Sequence, residues 1–316
     1  MTRPLHEAVA SPAATSGAAA YPGWLRWPVA VLRTARPRQW PKNMLVFAAP
    51  LAGASLGRRD GLIYALAAAA AFCAASVAVY MVNDVVDAER DRRHPVKRRR
   101  PIAAGELAKP HAVLVAAACM VAALTVGFAI RTPLLPAIIG GYVASSLLYS
   151  LVLKHIPVIE LLFVASGFVL RALGGAAATR VPPSGWFLLV CSLGALLVAL
   201  AKRYTEMAVL GRDAVRHRPS MRWYRPTALR FAQRVTALAM ITAYVLWAAG
   251  HHEAWIRAWH LASALPLAAT LVRFDQLTAR ATPKPVEDLL ARDTTMVLLE
   301  IVWLLTFVTG LWELVT

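Results

Sequence analysis

Nine stretches of this chain are each apolar over close to the length that crosses a bilayer, and they leave little sequence over for anything else. They run roughly over residues 43–57, 62–82, 111–130, 134–153, 157–179, 185–201, 229–249, 258–273 and 294–315, the first and eighth being short or interrupted. A helix needs about 20 apolar residues to cross the hydrocarbon core. Soluble domains are about 45–50% apolar and about 25% charged. Here 59% of the residues are apolar and 16% charged, too few charges to cover a water-facing surface. That excludes an ordinary soluble enzyme and a disordered protein. The three cysteines, Cys73, Cys119 and Cys191, sit in apolar runs and read as small buried hydrophobes rather than a disulfide framework. The expected fold is all-α and polytopic: nine transmembrane helices in one domain over residues 23–316. Residues 1–22, rich in Ala, Ser and Pro, have no long apolar run, so they read as a mobile tail and not a signal peptide.

The cations orient the bundle. Of 34 Lys and Arg, 27 fall in the N-terminal segment and in alternate loops, at 90–109, 154, 202–230 and 273–292. The intervening loops hold five: Arg58, Arg59, Arg131, Arg180 and Arg257. Cytoplasmic loops carry the excess of Lys and Arg. The N-terminus and the cation-rich loops are therefore expected on the cytoplasmic side of the cell membrane. A formal net charge of +17 also suits anionic lipid. Nucleic acid is a poor partner for cations held in short loops against a bilayer.

The second span ends in Asn83-Asp84-x-x-Asp87-x-x-x-Asp91. On a continuing helix the three aspartates share one face. Like charges on one stripe repel, and a hard divalent cation removes that penalty. Mg²⁺ is commonly held by one or two carboxylates and by substrate phosphates. A solvated helix end, its acids offset by nearby arginines, is the plainer alternative. The run from Arg92 through Lys97, Arg98 and Arg100 follows directly, so carboxylates for a metal stand beside cations for phosphate. His94 and His111 have no metal-ligand company and read as loop residues.

The aspartate run, with Arg100-Pro101 and Gly105 after it, resembles the first aspartate motif of the UbiA superfamily of intramembrane prenyltransferases. The resemblance implies a nine-helix UbiA-type bundle, a cytoplasmic-side site and Mg²⁺ on Asp84, Asp87 and Asp91. Family members that use a prenyl diphosphate carry a second acid-rich motif after span six. Here that position reads Lys202-Arg203-Tyr204-Thr205-Glu206, with a single acid.

Other stretches are similar to one branch of the superfamily, phosphoribosyltransferases whose acceptor is decaprenyl phosphate in actinobacterial wall synthesis. They are Arg36-Pro37-Arg38-Gln39-Trp40-Pro41-Lys42-Asn43, Tyr149-Ser150 with Lys154 and Glu160, Gly167-Phe168 with Arg171 and Gly174-Gly175, the Lys202–Glu206 loop, and Pro285 with Glu287-Asp288. The branch implies phosphoribosyl diphosphate as donor and a polyprenyl phosphate lipid as acceptor. It casts Asp84, Asp87, Asp91 and Glu160 as the catalytic carboxylates. Arg36, Arg38, Gln39, Lys42, Asn43, Asn83, Lys97, Arg98, Arg100, Tyr149, Lys154, Arg171, Lys202, Arg203, Tyr204 and Glu206 would bind substrate. Each basic residue also has an anchoring alternative at the membrane interface. Arg171 lies inside an apolar run, where a charge is costly and faces a partner or a polar cavity; Glu160 is a candidate partner for it. A transporter would show inverted repeats, and none is visible. The sequence leaves a homo-oligomer open.

Overall fold

The computed structural model describes residues 22–211, 219–281, 286 and 292–311. Those residues form helices joined by turns, with no strand among them. Six helices are long and apolar enough to cross a membrane: α3 (Arg59–Arg92), α4 (Lys109–Ala129), α5 (Leu134–Leu151), α6 (Ile159–Thr179), α7 (Gly185–Leu210) and α8 (Pro226–Ala249). Two more complete the described bundle. Helix α9 (Ala254–Ala279) has 26 residues with Pro266 inside it, and α10 (Thr294–Gly310) is apolar over 17. The nine expected spans therefore come out as six that meet both criteria, one that is long but less apolar, one that is apolar but short, and one that is not a continuous helix.

The exception is the first span. After the amphipathic helix α1 (Gly23–Ala35), Arg36 turns into the left-handed region at φ 52°. A 3-10 stretch follows over Pro37–Phe47, then a short helix α2 (Ala48–Ala52) and a 3-10 turn over Ser55–Gly57. Pro41 inside the stretch has no N–H, and a proline there removes an i→i−4 bond that an α-helix needs. The stretch packs on α3 and α6, with Val46 fully buried beside Phe72, Ala75 and Tyr142.

Helix α3 carries the acidic run past the membrane. Its 34 residues extend about 50 Å at about 1.5 Å each, against a hydrocarbon core of about 30 Å. It stops at Arg93, and His94 then closes the turn: its Nδ1 accepts the N–H groups of Val96 and Lys97 at 3.2 and 3.3 Å. Pro110 opens α4 and Pro226 opens α8, each where a missing N–H costs no helical bond. Ser184 and Asp293 cap α7 and α10 by accepting from Phe187 and Met296.

Consecutive helices pack side by side, α3 on α4, α5 on α6, α7 on α8 and α9 on α10, and α6 also packs on α3 and α7. In this antiparallel order the C-termini of α3, α5, α7 and α9 share one end with the N-termini of α4, α6, α8 and α10. The described parts of the cation-rich loops lie at that end, as do the residues described next. The proposed tail and the Pro285–Asp288 motif fall outside the described residues, apart from Pro22 and Val286.

Candidate active site

The last turns of α3 bring one acidic cluster together. Asp84 and Asp91, seven residues apart, are both 2% exposed. One nitrogen joins them: Arg100 Nη1 donates to Asp84 Oδ1 at 3.1 Å and to Asp91 Oδ2 at 2.7 Å. Arg36 Nη2 meets the same Asp84 oxygen at 2.5 Å, with its guanidinium 5.1 Å from the centre of the Tyr80 ring. The left-handed turn at Arg36 is what aims that side chain from the end of α1 at α3. Asp87 is half-buried and faces Arg90 at 3.6 Å. Asn83 Oδ1 is buried with no hydrogen-bond partner among the described residues. The Arg100 loop is fastened from α1: Arg33 bonds Glu106 at 2.5 Å and the Arg99 carbonyl at 3.0 Å. Lys97 and Arg98 are exposed on the 3-10 turn before Arg100, and Arg38 is exposed on the Pro37–Phe47 stretch. Lys42 bonds Gln39 within that stretch.

A second cluster sits where α5, α6 and α7 meet. Glu160 is fully buried, with Oε1 3.0 Å from Arg203 Nε. Arg203 also donates to Glu206 at 2.6 Å and to the Tyr149 hydroxyl at 3.1 Å. Tyr224 closes this cluster from the loop before α8, its hydroxyl accepting the Val158 N–H at 2.8 Å. Burial pushes the Tyr224 pKa up, with the Val158 bond partly offsetting it. Lys202 lies 5.5 Å from the centre of the Phe168 ring, and Lys154 is half-buried on the turn between α5 and α6. The Arg230 guanidinium covers the Tyr204 ring at 5.1 Å and bonds Asp275 at 2.8 Å.

Asn43 and Arg171 belong to neither cluster. Both are buried, and Arg171 Nε donates to Asn43 Oδ1 at 2.7 Å across 128 residues of chain. Its other nitrogens reach the Gly167 carbonyl at 2.6 Å and the Tyr142 hydroxyl at 2.9 Å, and Tyr142 meets Ser76 at 3.0 Å. Arg171 thus ties the Pro37–Phe47 stretch to α5 and α6.

One expectation changes here. Glu160 pairs with Arg203 and not with Arg171. It is fully buried on that guanidinium, in the second cluster. Arg203, expected to bind substrate, is 6% exposed and shared by two carboxylates. Sequence reasoning missed Tyr80, Tyr224, Arg230 and Asp275. Only Tyr80 carried a signal, one helical turn before Asp84 on the same face.

Comparison with known sequences gives the family. The UbiA prenyltransferase family matches residues 43–292. The chain belongs to that family. Among its UbiA relatives, the decaprenyl-phosphate phosphoribosyltransferase of Mycobacterium tuberculosis is 38% identical over 280 residues, covering 87% of this chain and 92% of that one. The protein of the same name from Corynebacterium glutamicum is 35% identical, covering 88% and 85%. A UbiA homologue from Archaeoglobus fulgidus, solved with GPP and Mg²⁺, superposes with a TM-score of 0.65 over 89% of this chain and 98% of that one. At 15% identity it shows the shared fold.

A UbiA fold raises the question of Mg²⁺. The donors suit that ion: three carboxylates on one helical stripe, and a buried Asn83 oxygen that bonds nothing else described. In the arrangement seen here, Arg100 Nη1 stands between the two buried aspartates. No three His, Cys, Asp or Glu among the described residues converge as a ready-made metal centre.

Proposed function

We propose that this UbiA protein transfers the 5-phosphoribosyl group of phosphoribosyl diphosphate to decaprenyl phosphate or a related polyprenyl phosphate, releasing diphosphate. The product would serve cell-wall arabinan synthesis. The observation that carries the reading is the near full-length match to phosphoribosyltransferases, 38% identical over 92% of the Mycobacterium tuberculosis protein. The second cluster supports it. A prenyl-diphosphate enzyme needs a second set of free acids for its metal, and here Arg203 is bonded to both Glu160 and Glu206.

Asp84, Asp87 and Asp91 would hold Mg²⁺, with Asn83 Oδ1 beside them. The ion would neutralise charge on the diphosphate as the anomeric C–O bond breaks. Arg36 and Arg100 stand on this face, and with the exposed Arg38, Lys97 and Arg98 of the adjoining segments they would hold the diphosphate and the 5-phosphate through charge-assisted bonds. Anomeric displacement passes through an oxocarbenium-like state, and the carboxylates of α3 would stabilise its positive charge. The acceptor needs no general base. A phosphomonoester has a second pKa near 6, so it is already anionic at neutral pH. Lys202 and Lys154 would steer its phosphate, with Tyr204 and Gln39 at the rim. Its tail would lie in the apolar groove between α3, α4 and α5, lined by Val79, Val82, Val113, Met120, Val143 and Leu147. Val82 places that groove two residues from Asp84. Glu160, Glu206 and Tyr149 would act by holding Arg203, while Asn43 and Arg171 would act by holding the stretch that carries Arg38 and Lys42.

The deciding experiment gives the purified protein Mg²⁺ and polyprenyl phosphate, with labelled phosphoribosyl diphosphate or a labelled prenyl diphosphate in turn. Mass spectrometry of the lipid product should find a phosphoribosyl lipid with the first donor only. Label transfer from the prenyl diphosphate instead would replace this reading with prenyl transfer to a small acceptor.

A further inference from the structure

One nitrogen of Arg100 sits where a cation would sit. Its Nη1 lies 3.1 Å from Asp84 Oδ1 and 2.7 Å from Asp91 Oδ2, between two carboxylates that are each 2% exposed. Two buried carboxylates on one stripe need a positive charge between them. A guanidinium and a divalent ion both supply it, and they repel each other, so they cannot share the same pair of oxygens. The backbone under Arg100 is fixed. Arg33 bonds the neighbouring Arg99 carbonyl and Glu106, the Ala104 N–H bonds the Arg100 carbonyl at 2.8 Å, and Ile102 and Leu107 are buried against α3. The side chain itself is 30% exposed. It has a wet side to swing towards while its anchor stays still.

Resting on the phosphoribosyl-transfer reading above, we propose that Arg100 is a built-in counter-cation that competes with the divalent ion for Asp84 and Asp91. The donor's diphosphate draws it away. A planar guanidinium pairs with phosphate oxygens through two parallel bonds, so the diphosphate offers Arg100 a partner to replace both aspartates. Vacating the aspartates then opens them to the ion. Ion and donor thereby favour each other's binding, and by linkage the coupling is reciprocal. Arg36 is the lesser competitor, since it reaches Asp84 alone.

The test uses the purified full chain in lipid nanodiscs, with Mn²⁺ as the metal probe and inorganic diphosphate as the anion probe, each added alone. Free Mn²⁺ is read by electron paramagnetic resonance, and diphosphate binding by calorimetry in chelator. Arg100→Gln should bind Mn²⁺ at least about tenfold more tightly than the unsubstituted chain and diphosphate at least about tenfold more weakly. Arg100→Lys keeps a cation and should leave Mn²⁺ affinity close to that of the unsubstituted chain. Asp84→Asn should lose the Mn²⁺ site in either background. If Asp84→Asn removes Mn²⁺ binding while Arg100→Gln binds it no more tightly than the unsubstituted chain, the counter-cation role is wrong and the acidic metal site stands. If Mn²⁺ binding ignores Asp84 altogether, the acidic-site reading fails, and the counter-cation role with it.

Discussion

Asp84 takes more contacts than any other acid of the α3 cluster, accepting from Arg36 and Arg100 on one oxygen. Asp84→Asn keeps the shape, removes the charge that holds both guanidiniums, and removes one expected metal ligand. Changes to outer-shell partners of a metal typically cost 10–100-fold, so we expect a fall in kcat/KM of more than about a hundredfold, and a similar fall for Asp87→Asn. Glu89 is the control. It lies on the same helix, exposed and paired with Arg92 and Lys109, and Glu89→Gln should change the rate by less than about twofold, as exposed substitutions usually do. Steady-state kinetics of the three purified variants decides. Equal losses in all three would mean that the face matters only as a charged surface. Glu160 makes a different prediction. Its removal takes from the Arg203 side chain, 7% exposed, its fully buried partner and leaves it Glu206 and Tyr149, and breaking one side of a buried pair costs up to about 3–5 kcal/mol. Glu160→Ala should lower the melting temperature in detergent, and adding Arg203→Met should recover most of the loss. A melting temperature that the single change leaves alone would show the pair to be unimportant for stability.

At the scale of elements, the acidic stripe of α3 was legible because helical period alone puts Asp84, Asp87 and Asp91 on one face. The first span was legible only as short or interrupted, and its 3-10 course was not. Pro37 and Pro41 lie before the apolar run, and Pro50 lies inside it, in the short helix α2. The Asn43–Arg171 bond joins residues 128 apart, and no local periodicity reaches that far. The cost of an intramembrane arginine was readable, but its partner was not, because Glu160 stood nearer in sequence than Asn43. Gly174 and Gly175 now have a physical role, which is close packing. A Cβ on Gly175 would overlap the Val46 carbonyl, which is backbone and cannot yield, while one on Gly174 would meet the buried Phe72 ring. Gly140 faces open space. Overpacking costs about 1–3 kcal/mol. Gly175→Ala should therefore destabilise most and displace the Pro37–Phe47 stretch. Gly174→Ala should cost less, and Gly140→Ala should be neutral or stabilising, since alanine favours helix. Thermal unfolding of the three variants checks the order, and a Gly175→Ala protein as stable as Gly140→Ala would contradict it.

For the whole molecule, the sequence and the helix order agree on one polar end without either consulting the other. The charge count assigns 27 cations to one set of loops and five to the other. The packing of antiparallel neighbours puts the C-termini of α3, α5 and α7 at the same end as the loops with the larger set. Asp84, Asp91, Arg100, Arg203 and Glu206 all stand there. On the proposed function, a water-soluble donor with phosphates would reach that end, and the lipid acceptor would reach it from the membrane. If the bias in cations sets orientation as it does in other polytopic chains, this end faces the cytoplasm, where phosphoribosyl diphosphate would be supplied. The prediction is concrete. Cys73, Cys119 and Cys191 are partly buried in helices, so a background with all three replaced by alanine should keep the fold. In that background a cysteine at position 97, on the exposed turn before Arg100, should resist a membrane-impermeant maleimide in intact cells and react once the membrane is opened. A cysteine at position 131, on the loop between α4 and α5, should react in intact cells. Labelling of position 97 from outside would invert the bundle. It would place the acidic face away from its donor, and a phosphoribosyl transfer at this end would then need a supply of donor outside the cell.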